Sequence, residues 1–224
     1  MATPVMESYL ETIYNLTMEE DAVIAARLAE RFHITPPTVS ETLSRMVKQG
    51  LITLDARKNI HLTDDGRTLA ESGLRRHRLL ERMLVDMFGL DWTEAHEEAH
   101  RLEHGLSPML EERMLTVMGS PETCPHGNPI PAPGRNPTRY LADLGARRLT
   151  AATGGEDVVV VCISEVVEDE SALLRYLGDR HIRPGAHITV RGHDHERGVT
   201  ASLDGQDVDI AASVADKIWV RSAP

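Results

Sequence analysis

Four side chains of metal-ligand type share one predicted helical stripe near the middle of this 224-residue chain. They are His96, His100, Glu103 and His104. Since an α-helix turns by about 100° per residue, their offsets of zero, four, seven and eight place them on one face. Buried polar groups cost free energy unless they are paired, so this stripe is poor core material. A divalent cation would pair the imidazoles and carboxylates, and the stripe therefore predicts a metal site.

A second pair of the same chemistry, His77 and Glu81, stands upstream at positions i and i+4 of another predicted helix. In isolation these residues would be interpreted as a surface pair on an arginine-rich helix. Beside the stripe of His96 to His104, they extend the predicted metal site.

Two alternatives remain open at this point. The stretch His96–His100 spells HExxH, the signature of zinc metalloproteases, in which Glu97 would be the general base. That enzyme would need a third ligand well downstream and a catalytic cleft, whereas Glu103 and His104 continue the same stripe. The other alternative is a metal-scavenging protein that does not bind DNA.

The charge of the chain is unevenly distributed. The net charge of −11 argues against nucleic acid as a partner of the whole surface. Residues 27–78, however, carry ten Lys and Arg against six Asp and Glu, while residues 79–119 carry three against nine. Unless this is a chance fluctuation, it indicates a DNA-contacting module beside a cation-binding module.

Composition points to the cytoplasm as the compartment. The N-terminal stretch is polar and amphipathic, and no apolar run approaches the ~18 residues of a membrane helix. Cys124 and Cys162 lie far apart without a CxxC partner, which is typical of free thiols. We therefore expect a cytoplasmic protein with no membrane contact.

The first 72 residues carry the pattern of a winged helix-turn-helix. Apolar spacing predicts helices at about 5–19, 24–32 and 36–49, followed by short strands at about 51–54 and 60–63. The third helix would be the recognition helix, with the hairpin tip against the DNA backbone. The residues expected to contact DNA are Thr35, Pro37, Thr38, Ser40, Glu41, Arg45, Lys48, Arg57 and Lys58. A winged helix used only for protein contacts is the alternative.

The rest of the chain predicts two further domains and a linker. Helices at about 65–88, 92–105 and 108–118 are followed by a proline-rich stretch and then by short strands with glycine turns. The predicted fold is mainly α with a small β part that ends in an SH3-like β-barrel. We predict a DNA-binding domain at 1–72, a helical metal-binding and dimerisation domain at 73–120, a linker at 121–145 and a barrel at 146–224.

These features together resemble the diphtheria toxin repressor family of metal-dependent transcriptional regulators. The likeness rests on the segments Met6–Tyr14, Pro37–Ser40, Arg76–Glu81, His96–His104 and Gly127–Pro131. It implies a winged helix, a helical metal-binding and dimerisation domain and an SH3-like domain of the FeoA type. It also implies binding of operator DNA as a homodimer that is loaded with Mn²⁺ or Fe²⁺.

The resemblance implies two sets of metal ligands. The first set is His100, Glu103 and His104 with the first-helix position that Ser8 occupies. The second is His77, Glu81 and His96, to which the third domain adds Glu170. Glu11 matches a ligand of the manganese-responsive members, whereas Glu7 reads as part of a solvated acidic face.

The chain departs from both types of member at several of these positions. Iron-responsive members carry Met and Cys where this chain has Ser8 and His100, and manganese-responsive members carry Asp and Glu there. Leu173 replaces a glutamine ligand, and Glu41 replaces a glutamine of the recognition helix.

We therefore predict a metal-activated repressor of metal-uptake genes that is not an enzyme and has no small-molecule substrate. A ligand set of His and Glu with neither Cys nor Met disfavours Cu(I). Glu11 favours Mn²⁺ over Fe²⁺, with Zn²⁺ or Co²⁺ as substitutes in vitro. The predicted dimer surface lies on the fifth and sixth helices, at Leu102, Leu106, Met109, Leu110 and Met114.

Overall fold

The N-terminal region is a winged helix-turn-helix, as the sequence predicted. The computed structural model describes residues 3–19, 23–132, 139–167, 170–194, 197–203 and 205–223. The first elements are α1 (Pro4–Met18), α2 (Ala25–Phe32), α3 (Pro36–Lys48), β1 (Ile52–Leu54) and β2 (Ile60–Leu62). Helices α1 and α3 both begin with proline, whose missing N–H is unneeded there. Leu10 and Ile13 of α1 share one buried core with Val39, Leu43 and Met46 of α3.

Three helices form the middle of the molecule: α4 (Asp64–Phe88), α5 (Trp92–Leu102) and α6 (Pro108–Val117). Asp91 caps α5 by accepting a hydrogen bond from the backbone of Thr93, and Glu94 completes a capping box. The predicted helix at 92–105 is α-helical only to Leu102, and Glu103–Gly105 forms a 3₁₀ turn. The chain extends at Leu106 and at Ser107, which caps α6, so α5 cannot continue past this turn.

The C-terminal region is an antiparallel sheet with short helices. It contains α7 (Tyr140–Asp143), β3 (Arg147–Arg148), β4 (Asp157–Ile163), α8 (Glu170–Gly178), β5 (His187–Asp194), β6 (Gly198–Leu203), β7 (Gln206–Ala211), α9 (Ala212–Ala215) and β8 (Ile218–Ser222). The strand order is β3-β8-β4-β5-β6-β7. Strands β3 and β7 were not predicted. Both are edge strands with few buried side chains, which leaves little hydrophobic signal.

The third domain is anchored to α5 by Trp92. This side chain is buried in the core of the sheet domain, and its indole N–H donates to the carbonyl of Leu174 at 3.1 Å. The guanidinium of Arg183 lies 4.9 Å from the indole ring centre. The position of the third domain is therefore fixed at the start of the helix that carries His96 and His100.

A buried arginine joins all three parts of the chain. Arg78 of α4 is 2% exposed and forms two hydrogen bonds with Glu165 of the third domain, at 3.1 and 2.7 Å. It also donates to the side chain of Asn15 in α1 at 2.9 Å and to the carbonyl of Pro129. The arginine-rich helix is therefore not purely a surface element.

The predicted dimer surface is only partly available. Met109 is 80% exposed, and Leu110 and Leu102 are also exposed, on α6 and at the end of α5. Met114 instead lies in the buried cluster between α4, α5 and α6, with Leu106 packed against it. Within the described ranges, no helix is long and apolar enough to cross a membrane.

Candidate metal centre

Helices α4 and α5 bring His77, Glu81 and His96 into direct contact. Oε1 of Glu81 lies 2.9 Å from Nε2 of His77 and 2.9 Å from Nδ1 of His96. All three side chains are buried. The i and i+4 spacing puts His77 and Glu81 on one face of α4. The packing of α4 against α5 brings that face into contact with His96.

Glu103 joins the rest of the stripe to this cluster from the 3₁₀ turn after α5. Its Oε2 lies 2.7 Å from Nδ1 of His77, and its Oε1 lies 3.3 Å from Nδ1 of His100. Oε1 is also 3.6 Å from Nε2 of His104. The side chains of His100 and His104 are 52% and 44% exposed, so this end of the cluster opens to solvent.

The third domain contributes Glu170, from the first turn of α8. Its Oε2 lies 3.5 Å from Nε2 of His96 and 3.8 Å from the guanidinium of Arg31 in α2. Leu173, three residues later, packs against the core of the third domain. The side chain that replaces the glutamine ligand therefore has an apolar, structural role.

A cavity of about 140 Å³ lies among these groups, between α1, α4, α5 and the third domain. Its lining comprises Ser8, Glu11, Thr12, Asn15, Arg31, Phe32, Leu74, His77, His96, His100, Glu165 and Glu170. Glu11 reaches this cavity from α1. The structure thus brings all eight predicted metal-ligating residues into one continuous region.

The charged groups of the cluster shift one another's pKa values. Burial and the nearby charge of Glu103 raise the pKa of Glu11 to about 8. Although burial opposes ionisation, hydrogen bonds with His100 and His77 lower the pKa of Glu103 to about 2. Burial likewise opposes the charge on His77, but Glu81 and Glu103 raise its pKa well above the usual value. A divalent cation would compete with protons for Glu11 and His77, because both pKa values are raised.

Gly73 of α4 provides the space for the Glu11 carboxylate, because a Cβ atom at position 73 would collide with Oε1 of Glu11. We expect Gly73→Ala to weaken Mn²⁺ binding about tenfold, the lower end of what disturbing a metal-site group costs. The stability of the unloaded protein should not fall, because alanine favours helix by ~1 kcal/mol. Calorimetric titration with Mn²⁺ and thermal unfolding check both parts. Unchanged Mn²⁺ affinity would show that the Glu11 carboxylate is not needed there.

A second group with metal-binding geometry is formed by Glu81, Cys124 and His126, all buried. Oε2 of Glu81 lies 3.2 Å from Nδ1 of His126, yet it has no hydrogen-bond donor in good alignment. Burial raises the pKa of the Cys124 thiol well above its usual value. The prolines in the stretch around Cys124 and His126 indicate a structural role for both residues, so the sequence did not predict them as metal ligands. The signal that could have found them is the ligand spacing Cys-x-His itself.

Comparison with known proteins assigns the chain to a family. Family models match residues 1–60 as the iron dependent repressor N-terminal DNA binding domain, 63–132 as its metal binding and dimerisation domain, and 147–222 as a FeoA domain. The iron-dependent repressor IdeR of Mycobacterium tuberculosis is 42% identical over 206 residues, which cover 90% of this chain and 89% of that protein. The diphtheria toxin repressor of Corynebacterium diphtheriae is 35% identical over 226 residues and 96% of each chain. The chain belongs to the diphtheria toxin repressor family of metal-dependent transcriptional regulators.

Solved structures place the fold in the same family. A manganese-dependent transcriptional repressor in complex with manganese has a TM-score of 0.83 and 34% identity, covering 97% of this chain and 100% of that one. The regulator ScaR with bound Zn²⁺ has a TM-score of 0.82 and 30% identity, covering 98% of this chain and 100% of that one. The predicted fold class and the predicted class of function are confirmed.

The DNA-binding domain of this family member exposes the residues that the sequence singled out. On the recognition helix and at its start, Thr35, Pro37, Thr38, Ser40, Glu41, Arg45 and Lys48 are all exposed, as are Arg57 and Lys58 at the hairpin. Buried Val39, Leu43 and Met46 hold the opposite face of α3. The hydroxyl of Ser40 donates to the carbonyl of Pro36, so it must rotate before it can donate to a phosphate.

Proposed function

We propose that this chain is a cytoplasmic repressor that a divalent metal activates to bind operator DNA as a homodimer and to control metal-uptake genes. The observation that carries the proposal is the position of the His and Glu cluster. It lies where α1 of the DNA-binding domain meets α4, α5 and the third domain. The proposed compartment is the cytoplasm because that is where operator DNA is found in a bacterial cell.

The coupling between centre and DNA runs through α1. Glu11 stands on the face of α1 that lines the cavity, and Leu10 and Ile13 pack with the core residues of α3. A bound cation would neutralise the facing carboxylates and favour the arrangement in which α1 lies close to α4 and α5. A shift of α1 then moves the recognition helix, and metal acts by shifting the population of DNA-competent dimers.

The metal proposed to activate the protein is Mn²⁺, because Glu11 adds a carboxylate to the centre. The cluster offers carboxylates from Glu11, Glu81, Glu103 and Glu170 in addition to imidazoles, and oxygen-rich sets of five or six ligands suit Mn²⁺ or Fe²⁺ better than tetrahedral Zn²⁺. Fe²⁺ is the alternative activator, and Zn²⁺ or Co²⁺ are substitutes in vitro. The thiol of Cys124 makes the group of Glu81, Cys124 and His126 softer than the main cluster, so this group suits Fe²⁺ and Zn²⁺ better than Mn²⁺.

A metalloprotease is disfavoured by the position of Glu97. This residue is 41% exposed and pairs with Arg175 of the third domain at 3.4 Å, and it does not line the cavity. A general base must reach the water or substrate at the metal. We therefore propose that the protein is not an enzyme. Gel retardation of a promoter fragment distinguishes a repressor from a metalloprotease and from a metal scavenger. A repressor should retain metal-dependent retardation in Glu97→Gln, whereas a metal scavenger should retard no specific fragment.

Metal binding should release protons. The pKa of Glu11 is raised to about 8 and the pKa of His77 is also raised, which favours the protonated forms of both groups in the unloaded protein. Ligation requires the deprotonated forms, so Mn²⁺ affinity rises with pH until the pH exceeds these pKa values. We expect about two protons to leave per loaded subunit at pH 7. Calorimetric titration in two buffers of different ionisation enthalpy counts the released protons. A Mn²⁺ affinity that is independent of pH from 6 to 8 would contradict the expected proton release.

A further inference from the structure

The first helix presents two carboxylates to the metal centre, not one. Glu7 and Glu11 stand four residues apart on α1 and so share one helical face. Oε2 of Glu7 lies 3.5 Å from Nδ1 of His104, and Nε2 of the same ring lies 3.6 Å from Oε1 of Glu103. The imidazole of His104 therefore lies between a carboxylate from α1 and a carboxylate from the turn after α5.

The neighbouring Ser8 is engaged elsewhere. Its hydroxyl donates to the carbonyl of Pro4 at 3.2 Å, one turn earlier in the same helix. A neutral hydroxyl is also a poorer ligand than a carboxylate for a hard divalent cation. The carboxylate of Glu7 contacts His104, and the side chain of Glu7 is 26% exposed, so a metal ion can reach it from solvent.

We propose that Glu7, and not Ser8, is the residue through which the start of the first helix binds the metal held by His100, Glu103 and His104. This inference rests on the proposed function. Helix α1 would then supply two carboxylates to the centre, Glu11 in the cavity and Glu7 at the end that opens to solvent. A hard cation that takes many oxygen ligands, such as Mn²⁺, is the class that this arrangement selects.

The test compares three variants by titration with Mn²⁺, with free Mn²⁺ followed by its paramagnetic resonance signal. Glu7→Gln should lose at least about tenfold in affinity at one site, the lower end of what loss of a supporting metal-site group costs. Ser8→Ala should bind as the wild type does. Glu98→Gln removes the same charge from an exposed ion pair with Arg101 on α5 and should also bind as the wild type does. Thermal unfolding without metal should be the same for wild type and Glu7→Gln.

Each other outcome has a defined meaning. Equal losses in Glu7→Gln and Glu98→Gln would show a general effect of charge and overturn the inference, as would unchanged binding by Glu7→Gln. A loss in Ser8→Ala alone would assign the position to the serine. If Glu7→Gln unfolds more easily without metal, Glu7→Asp, which keeps the charge on a shorter side chain, must still bind at least threefold more weakly. In all of these cases the proposed function is judged separately, by whether a divalent metal raises the operator affinity of the wild type.

Discussion

Replacement of His77 with alanine should abolish the response of operator binding to metal. His77 contacts Glu81, Glu103 and the ring of His96, so its replacement removes a side chain from the buried middle of the centre. In the wild type we expect Mn²⁺ to raise operator affinity by between about 5-fold and 150-fold, the usual range of such coupling. In His77→Ala the affinities with Mn²⁺ and with chelator should be equal.

The matched control is His187→Ala, which removes an exposed histidine at the start of β5 in the third domain. This variant should respond to Mn²⁺ as the wild type does. Circular dichroism checks that His77→Ala is folded, and His77→Gln supplies a variant that keeps polar atoms in the buried space. A full Mn²⁺ response in both His77 variants would remove this residue from the proposed centre.

Breaking the buried ion pair between Arg78 and Glu165 should destabilise the whole chain. Arg78 is 2% exposed and binds side chains or carbonyls from α1, the segment after α6, and the third domain. Loss of one partner of a buried pair leaves the other charge uncompensated, which typically costs about 3–5 kcal/mol. We expect Arg78→Met and Glu165→Gln each to lose stability on this scale in urea unfolding.

A second ion pair in the same chain serves as the control. Arg101 and Glu98 lie 2.6 Å apart on the surface of α5, where solvent screens the charges. Arg101→Met should therefore lose far less stability than Arg78→Met. In the double variant Arg78→Met/Glu165→Gln, the loss should be smaller than the sum of the single losses, because neither charge is left alone. Additive losses, or a similar loss in Arg101→Met, would show that the buried pair does not join the domains.

The parts of the centre that the sequence predicted are those carried by local spacing. His77 and Glu81 lie one helical turn apart, and the α5 stripe follows from helical geometry, so periodicity was enough to group them. Their meeting depends on the packing of α4 against α5, for which apolar residues such as Leu80 and Ala99 give a visible pattern.

The parts that sequence reasoning missed depend on contacts between distant segments. The sequence did not single out Arg78 from the other arginines of its helix, because Glu165, its partner, stands 87 positions away. Cys124 and His126 gain their significance from Glu81, on a helix that ends well before them. The sequence also could not show whether Glu7 or Ser8 faces the centre, since adjacent helical residues differ by only about 100° in direction and the rotation of α1 comes from its packing.

The measurement that tests the central claim most directly is the operator affinity of the wild-type dimer, titrated separately with Mn²⁺, Fe²⁺, Zn²⁺ and Co²⁺ and compared with chelator. The proposed function predicts a rise in affinity of at least about fivefold with Mn²⁺. Strong activation by Fe²⁺ and none by Mn²⁺ would contradict the manganese assignment and leave the metal-activated repressor intact. The same operator affinity with every metal and with chelator would contradict the central claim itself.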